Sequence, residues 1–148
     1  MKKVFMSLFF ASALFSFSMS ADDKPIAATE LPAEATAFIK NFAPATVTAA
    51  SVDDDFFRPD YKVFLSDGTV IEFRHNGRWE EISNYKGINT KVIPTAIANY
   101  LNTNHKGVAV TDMSFDADDI DSYELRLASR LELKFDRNGN FLTAEYDD

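Results

Sequence analysis

The feature that constrains this chain most is an internal repeat. A shift of 62 positions, the distance from Pro32 to Pro94, places one half of the sequence on the other. A chain with such a repeat is expected to build one structural unit twice, over about residues 29–86 and 91–148. The matched positions are Leu31, Phe38, Ile39, Tyr61, Val63, Leu65, Phe73, Asn76, Gly77 and Trp79 with Ile93, Tyr100, Leu101, Tyr123, Leu125, Leu127, Phe135, Asn138, Gly139 and Phe141.

Each half begins with a pattern that is typical of an amphipathic helix. Ala35, Phe38, Ile39 and Phe42 recur at helical spacing, and Ile93, Ile97, Tyr100 and Leu101 recur at related spacings in the second half. Proline in the first turn suits both helices, because its missing N–H is not needed there. We expect Pro44 to end the first helix and residues 104–107 to end the second.

After each helix the apolar period changes to two, which is typical of half-buried antiparallel strands. The sequence therefore predicts an α+β protein in which each unit is a helix followed by a four-stranded antiparallel meander. The strands are expected near Val47–Val52, Trp79–Ile82, Val108–Phe115, Tyr123–Leu127, Leu131–Phe135 and Phe141–Tyr146. Two further strands are expected in the first half, as the counterparts of Tyr123–Leu127 and Leu131–Phe135.

The register of the first hairpin follows from its apolar residues. A three-residue loop at 66–68 pairs Val63 with Ile71 and Tyr61 with Phe73, whereas a two-residue loop would pair Val63 with Glu72. The three-residue loop is therefore predicted. The same reasoning at the two Asn-Gly turns sets Phe73 beside Trp79 and Phe135 beside Phe141, with both aromatic pairs facing the helices.

This register also predicts which side chains occupy the other face of the sheet, here called the open face. In the first half Phe64 and Val70 would be neighbours there, either in water or packed against the other unit, a loop or a dimer mate. The lone Trp79 is expected in the core. The open face is predicted to carry Lys62, Phe64, Val70, Glu72, Arg74, Arg78, Glu80 and Ile82 in the first half, and Glu124, Arg126, Glu132, Lys134, Asp136 and Asn140 in the second.

The first 21 residues have the pattern of a cleavable signal peptide. Lys2 and Lys3 precede an uncharged stretch, Val4 to Met19, and small residues precede the first acids. We therefore expect residues 1–21 to be removed, and 22–148 to form one periplasmic or secreted domain. No Cys is present for lipid attachment or disulfides, so a packed core must provide the stability.

Removal of the two lysines would change the formal charge from −8 to −10. An acidic surface repels phosphate, so nucleic acid and anionic membranes are poor candidates for a partner, and no membrane insertion is expected after signal removal. Cationic protein surfaces or divalent cations remain open. The oligomeric state is left undecided by the sequence.

The sequence carries no recognisable catalytic, cofactor or metal motif, and none of these sites is expected. His75 and His105 lie in polar turns without a second ligand four residues away. The acidic runs 53–55 and 116–121 lack the glycine and glutamate of an EF-hand loop, so specific calcium binding is not expected. Residues 136–140 are typical of a turn.

The motifs resemble those of the periplasmic PepSY-like proteins grouped with the beta-lactamase-inhibitor-like fold. The resemblance covers nearly all of the mature chain and implies a tandem arrangement whose sheets form one curved surface with the helices on one side. In the inhibitor branch such a surface grips an enzyme. The chain departs from the motif at Ser129-Arg130, where the first half has Asp67-Gly68. The resemblance is carried by Leu31, Pro32, Tyr61, Val63, Leu65, Asp67, Gly68, Glu72, Phe73, Asn76, Gly77 and Trp79.

These observations favour an exported, non-enzymatic module that recognises a protein or peptide through the open face, with inhibition as one form of that recognition. The expected contacts are Lys62, Phe64, Val70, Glu72 and Arg74. The alternative is a structural or cation-buffering envelope protein without a specific partner. A small hydrolase has the least support.

Overall fold

The computed structural model describes residues 23–43, 45–53 and 57–147, and within them the chain is an α+β protein with two helices and nine strands. The predicted signal peptide and Pro44 lie outside these residues. The helices are α1 (Ala33–Phe42) and α2 (Thr95–Asn104), each preceded by a short 3-10 turn. The strands are β1 (Asp23–Ile26), β2 (Val47–Asp53), β3 (Tyr61–Leu65), β4 (Val70–Phe73), β5 (Trp79–Ser83), β6 (Val110–Phe115), β7 (Tyr123–Leu127), β8 (Leu131–Phe135) and β9 (Phe141–Tyr146).

All nine strands form one antiparallel sheet in chain order, from β1 at one edge to β9 at the other. The sheet continues through the middle of the chain because β5 pairs with β6, where Ile82 lies opposite Met113. The sequence predicted two meanders of four strands each, and it did not predict β1. β1, with the sequence Asp-Lys-Pro-Ile, pairs with β2 although its polar residues and proline do not indicate a strand.

The predicted register of the hairpins is confirmed. Val63 lies opposite Ile71 and Tyr61 opposite Phe73, so the first hairpin has the three-residue loop that keeps apolar residues together. Phe73 lies opposite Trp79, and Phe135 lies opposite Phe141 in the second half of the sheet.

The core lies between the two helices and one face of the sheet. Ala35 and Ile39 of α1 and Ile97 and Leu101 of α2 are buried in one hydrophobic cluster with the strands. Trp79 packs against this cluster, as predicted. The middle of the sheet contributes one row of cross-strand neighbours, which are Ile26, Ala50, Val63, Ile71, Ile82, Met113, Leu125, Leu133 and Ala144.

The turn between β7 and β8 keeps the register of the first hairpin although it lacks glycine. Tyr123 still lies opposite Phe135. Arg130 takes the left-handed conformation, with φ of +68°, where Gly68 has φ of +88° in the first hairpin. Left-handed backbone costs a residue with a Cβ about 1–2 kcal/mol. The departure from the family motif therefore leaves the hairpin intact at an energetic cost.

Replacement of Arg130 by glycine is expected to raise the free energy of unfolding by about 1 kcal/mol, because glycine accepts this backbone conformation while its greater freedom in the unfolded chain offsets part of the gain. Urea denaturation measures the change. The control is Ser129→Gly at the neighbouring exposed position, where φ is not positive and a small loss is expected. A loss of stability in Arg130→Gly would contradict the argument.

Candidate functional site

The open face is the face of the sheet opposite the helices. Successive residues of a strand point to opposite faces, so the neighbours of the core row point away from α1 and α2. In the first half, two pairs lie directly opposite each other on β3 and β4: Lys62 with Glu72, and Phe64 with Val70. All four side chains are half-buried. The sequence therefore predicted these neighbours correctly.

The charged pair beside the apolar pair is a salt bridge. Lys62 Nζ lies 2.9 Å from Glu72 Oε1, and this glutamate raises the pKa of the lysine against the opposing effect of burial. Arg74, just beyond β4, contacts Glu80 at 3.3 Å and Asp116 at 3.5 Å. Arg74 thus links the first half of the sheet to the end of β6.

The open-face prediction is wrong at β5, because a β-bulge changes which face its residues occupy. Phe73 pairs with Trp79, but Glu72 pairs with Glu81. Glu80, which lies between Trp79 and Glu81, is therefore the extra residue of the bulge. Ile82, predicted on the open face, consequently lies in the core with 2% exposure.

Two other residues in or next to β5, Arg78 and Glu80, were predicted on the open face, and only one of them contacts other open-face residues. Arg78, also predicted on the open face, directs its guanidinium toward Glu34 of α1, with Nε 3.9 Å from Oε1. Glu80 is bonded to Arg74, as an open-face residue would be. The bulge thus places Glu81 opposite Glu72 on the open face, where the predicted register has Glu80, and moves Ile82 into the core.

Glu81 is the functional candidate that the sequence prediction missed. Burial raises its pKa to about 7, and the nearby carboxylates of Glu72 and Asp112 add to the effect, whereas Lys62 opposes it. A signal was present in the sequence: Trp79 and Ile82 are three residues apart in one strand, and both can face the core only if a bulge lies between them.

The second half of the open face is polar, as predicted. Lys134 Nζ lies 3.6 Å from Glu124 Oε1, and Arg126 Nη2 lies 2.9 Å from Asp147 Oδ2. Arg126 lies opposite Glu132, the register position that Phe64 and Val70 hold in the first half. Only the first half therefore presents an apolar pair at this position.

The two histidines and the acidic loop at 116–121 lie in turns that follow β4, α2 and β6. His75 is in an exposed turn, and His105 follows α2 with its ring 6.0 Å from that of Tyr100. The 116–122 loop is held by its own hydrogen bonds, in which Asp116 accepts from the Asp118 amide and the Ser122 hydroxyl donates to the Asp119 carbonyl. Within the described ranges, no three acidic or histidine side chains are grouped to hold a metal.

The turn at 136–140 has the chemistry that its sequence predicts. The Asp136 carboxylate accepts hydrogen bonds from the Asn138 and Asn140 amides, and bonding to Asn140 lowers the pKa of Asp136. Of the acidic run at 53–55, residues 54 and 55 lie outside the described residues. In 23–43, 45–53 and 57–147, neither helix has the length and apolarity that crossing a bilayer needs.

A continuous antiparallel sheet, with both helices on one face and charged side chains on the other, defines the class as an open-faced α+β protein. The chain belongs to the PepSY-like family: residues 59–143 match the family described as "Putative beta-lactamase-inhibitor-like, PepSY-like". The resemblance drawn from the sequence motifs is therefore confirmed. Among proteins of curated function, none matches the chain.

Three similar proteins of known structure come from Bacteroides species. A Bacteroides thetaiotaomicron protein, provisionally described as calcium-regulated and periplasmic, is 35% identical, with 84% of this chain and 97% of that chain covered and a TM-score of 0.76. A Bacteroides vulgatus protein of the DUF2874 family, provisionally described as periplasmic, is 31% identical with 86% and 99% covered and a TM-score of 0.74. A second protein from that species is 30% identical, with 83% and 98% covered and a TM-score of 0.72.

Proposed function

We propose that this chain is an exported periplasmic module that has no catalytic role and binds a protein or peptide through the open face of its sheet. The relatives described as periplasmic and the signal-like first 21 residues support the location. The contact residues in this proposal are Lys62, Phe64, Val70, Glu72 and Arg74.

The proposal includes a tandem origin for the sheet, in which each half contributes one helix and four strands. The helices support it, because α1 begins at residue 33 and α2 at residue 95, 62 positions later. Equivalent aromatic contacts support it too. Phe38 meets Phe73 edge-on at 5.9 Å, and Tyr100 meets Phe135 edge-on at 5.3 Å.

The observation that carries the binding proposal is the apolar pair Phe64 and Val70 on a face whose other side chains are mostly polar or charged. Binding interfaces commonly combine a small apolar centre with a polar rim. The Lys62–Glu72 salt bridge lies on one side of this pair, on the same two strands. Because the second half has Arg126 and Glu132 at the same register position, the two halves would contribute differently to recognition.

Charge indicates the kind of partner. The mature chain is strongly acidic, so its field favours partners with a basic patch and repels acidic ones. The acidic neighbours Glu72, Glu81 and Asp112 lie close enough to affect one pKa, and would concentrate that field beside the apolar pair. A basic surface with an exposed apolar side chain is therefore the expected complement.

Phe64→Asp is expected to lower capture of envelope partners at least about tenfold, because the substitution places a charge where the apolar centre would be desolvated. The measurement is quantitative pull-down from a periplasmic extract, with circular dichroism to confirm folding. Glu132→Lys, at the position of the second half that matches Val70, is the control and should reduce capture much less.

Equal capture by wild type and Phe64→Asp would contradict this use of the face. The extract is tested with and without calcium, because one relative is provisionally described as calcium-regulated and the loop at 116–121 is acidic. Stoichiometric heat on calcium titration, with no partner captured at either calcium level, would favour the alternative of a cation-buffering protein without a specific partner.

A further inference from the structure

Strand β9 forms one edge of the sheet and, among the described residues, pairs only with β8. The Asp147 amide donates to the Arg130 carbonyl, so the backbone groups of residue 147 point toward β8. Because N–H and C=O groups alternate in direction along an antiparallel strand, those of Ala144 and Tyr146 point outward. The edge therefore offers donors and acceptors to another strand.

The two edges of the sheet differ in how they are protected. β1 has four residues and contains Lys24 and Pro25, and both residue types hinder pairing with a further strand. β9 has six residues, is exposed throughout and contains no proline, lysine or arginine. It also exposes apolar side chains, with Leu142 at 37% and Tyr146 at 72%. β9 is thus the edge open to association.

We propose that β9 pairs antiparallel with β9 of a second copy of this chain, with Ala144 opposite Ala144 of that copy. Ala144 and Tyr146 lie opposite Leu133 and Leu131 of the core, so they occupy the helix-covered face. Two-fold pairing about Ala144 brings Tyr146 of each copy to Phe141 of the other, because Leu142 is the extra residue of a β-bulge and Phe141 takes the next position on the helix-covered face. The dimer would thus cover apolar surface that one copy leaves exposed.

Charge on the open-face side of β9 is compatible with this register. Glu145 would lie opposite Thr143 of the second copy, so no like charges are directly opposed. Pairing about Glu145 instead would place the Glu145 carboxylates of the two copies directly opposite each other, which is a poorer match. The sequence of β9 therefore favours the register centred on Ala144.

The geometry also limits the size of the assembly. Since β1 is hindered, pairing through β9 uses the single open edge of each copy and ends at two chains. An interface of one strand pair is small, and two acidic chains repel each other. We expect a weak dimer that salt strengthens.

Sedimentation velocity of the exported, processed protein tests this, over about two orders of magnitude in concentration and at low and high salt. Wild type should show a monomer–dimer equilibrium that shifts to dimer at high salt. Ala144→Pro removes an outward N–H that β8 does not use, and should weaken the dimer at least about tenfold. Tyr146→Lys should do the same by placing a like charge at the interface edge.

The control is Phe57→Lys, which changes an exposed apolar residue (88% exposure) in the loop between β2 and β3, at the other end of the sheet from β9, and should leave dimerisation unchanged. If Ala144→Pro does not fold, Tyr146→Lys decides the question. A wild type that stays monomeric at the highest concentration and salt would overturn the proposal, as would equal dimerisation of folded Ala144→Pro or Tyr146→Lys. Association beyond a dimer would overturn the closed arrangement.

Discussion

Replacement of Gly139 by alanine is expected to lower the free energy of unfolding by about 3 kcal/mol, because two costs act at one position. The backbone there has φ of +82°, a conformation that a Cβ disfavours. A Cβ would also lie 2.8 Å from Ala96 Cβ and 3.4 Å from Ile97 Cγ1, at the start of α2. Ile97 is fully buried, so the helix cannot easily move away.

Gly107→Ala separates these two costs. Gly107 has φ of +79°, but a Cβ there would meet no atom within 4 Å. Only the backbone cost of about 1 kcal/mol is expected. Urea denaturation followed by fluorescence of the single Trp79 measures both variants. Equal losses at Gly139 and Gly107 would show that contact with α2 contributes nothing.

The Asn-Gly turns show what the sequence could and could not predict about the fold. Their composition predicted turns, and their spacing predicted the pairing of Phe73 with Trp79. It did not predict that each turn packs against the first turn of a helix, where Pro32 and Glu34 meet Gly77. That contact joins residues more than forty positions apart, and local preference carries no information about it.

The candidate site was predicted in part for a similar reason. Alternation on β3 and β4 placed Lys62, Phe64, Val70 and Glu72 on one face, and the structure has them there. Strict alternation failed on β5, because one bulged residue shifts everything after it to the other face. The sequence could therefore identify the apolar pair but not the glutamate that lies two strands from Lys62.

Glu81 is the second position where a large effect is expected. Its pKa is raised from 4.5 to about 7, because burial penalises the carboxylate and Glu72 and Asp112 repel it. The folded protein therefore binds a proton more tightly than the unfolded chain. Stability must fall as pH rises from about 4.5 to about 7, and the full penalty is present above that window.

Glu81→Gln removes this penalty by making the side chain neutral at every pH. At pH 8 the variant is expected to be about 2 kcal/mol more stable than wild type, a value reduced from the full shift because the side chain is only half-buried. At pH 4 the two proteins should be nearly equal. The measurement is urea denaturation at both pH values.

Glu34→Gln serves as the control, because it removes one negative charge from the exposed surface of α1 and leaves the open face unchanged. A gain at pH 8 that is similar in both variants would assign the effect to net charge rather than to Glu81. A gain confined to Glu81→Gln would instead mean that the open face holds a carboxylate that is costly to ionise.

A basic partner would relieve that cost on binding, because its positive charge would lower the pKa of Glu81. Binding through this face should then weaken as pH falls below about 7.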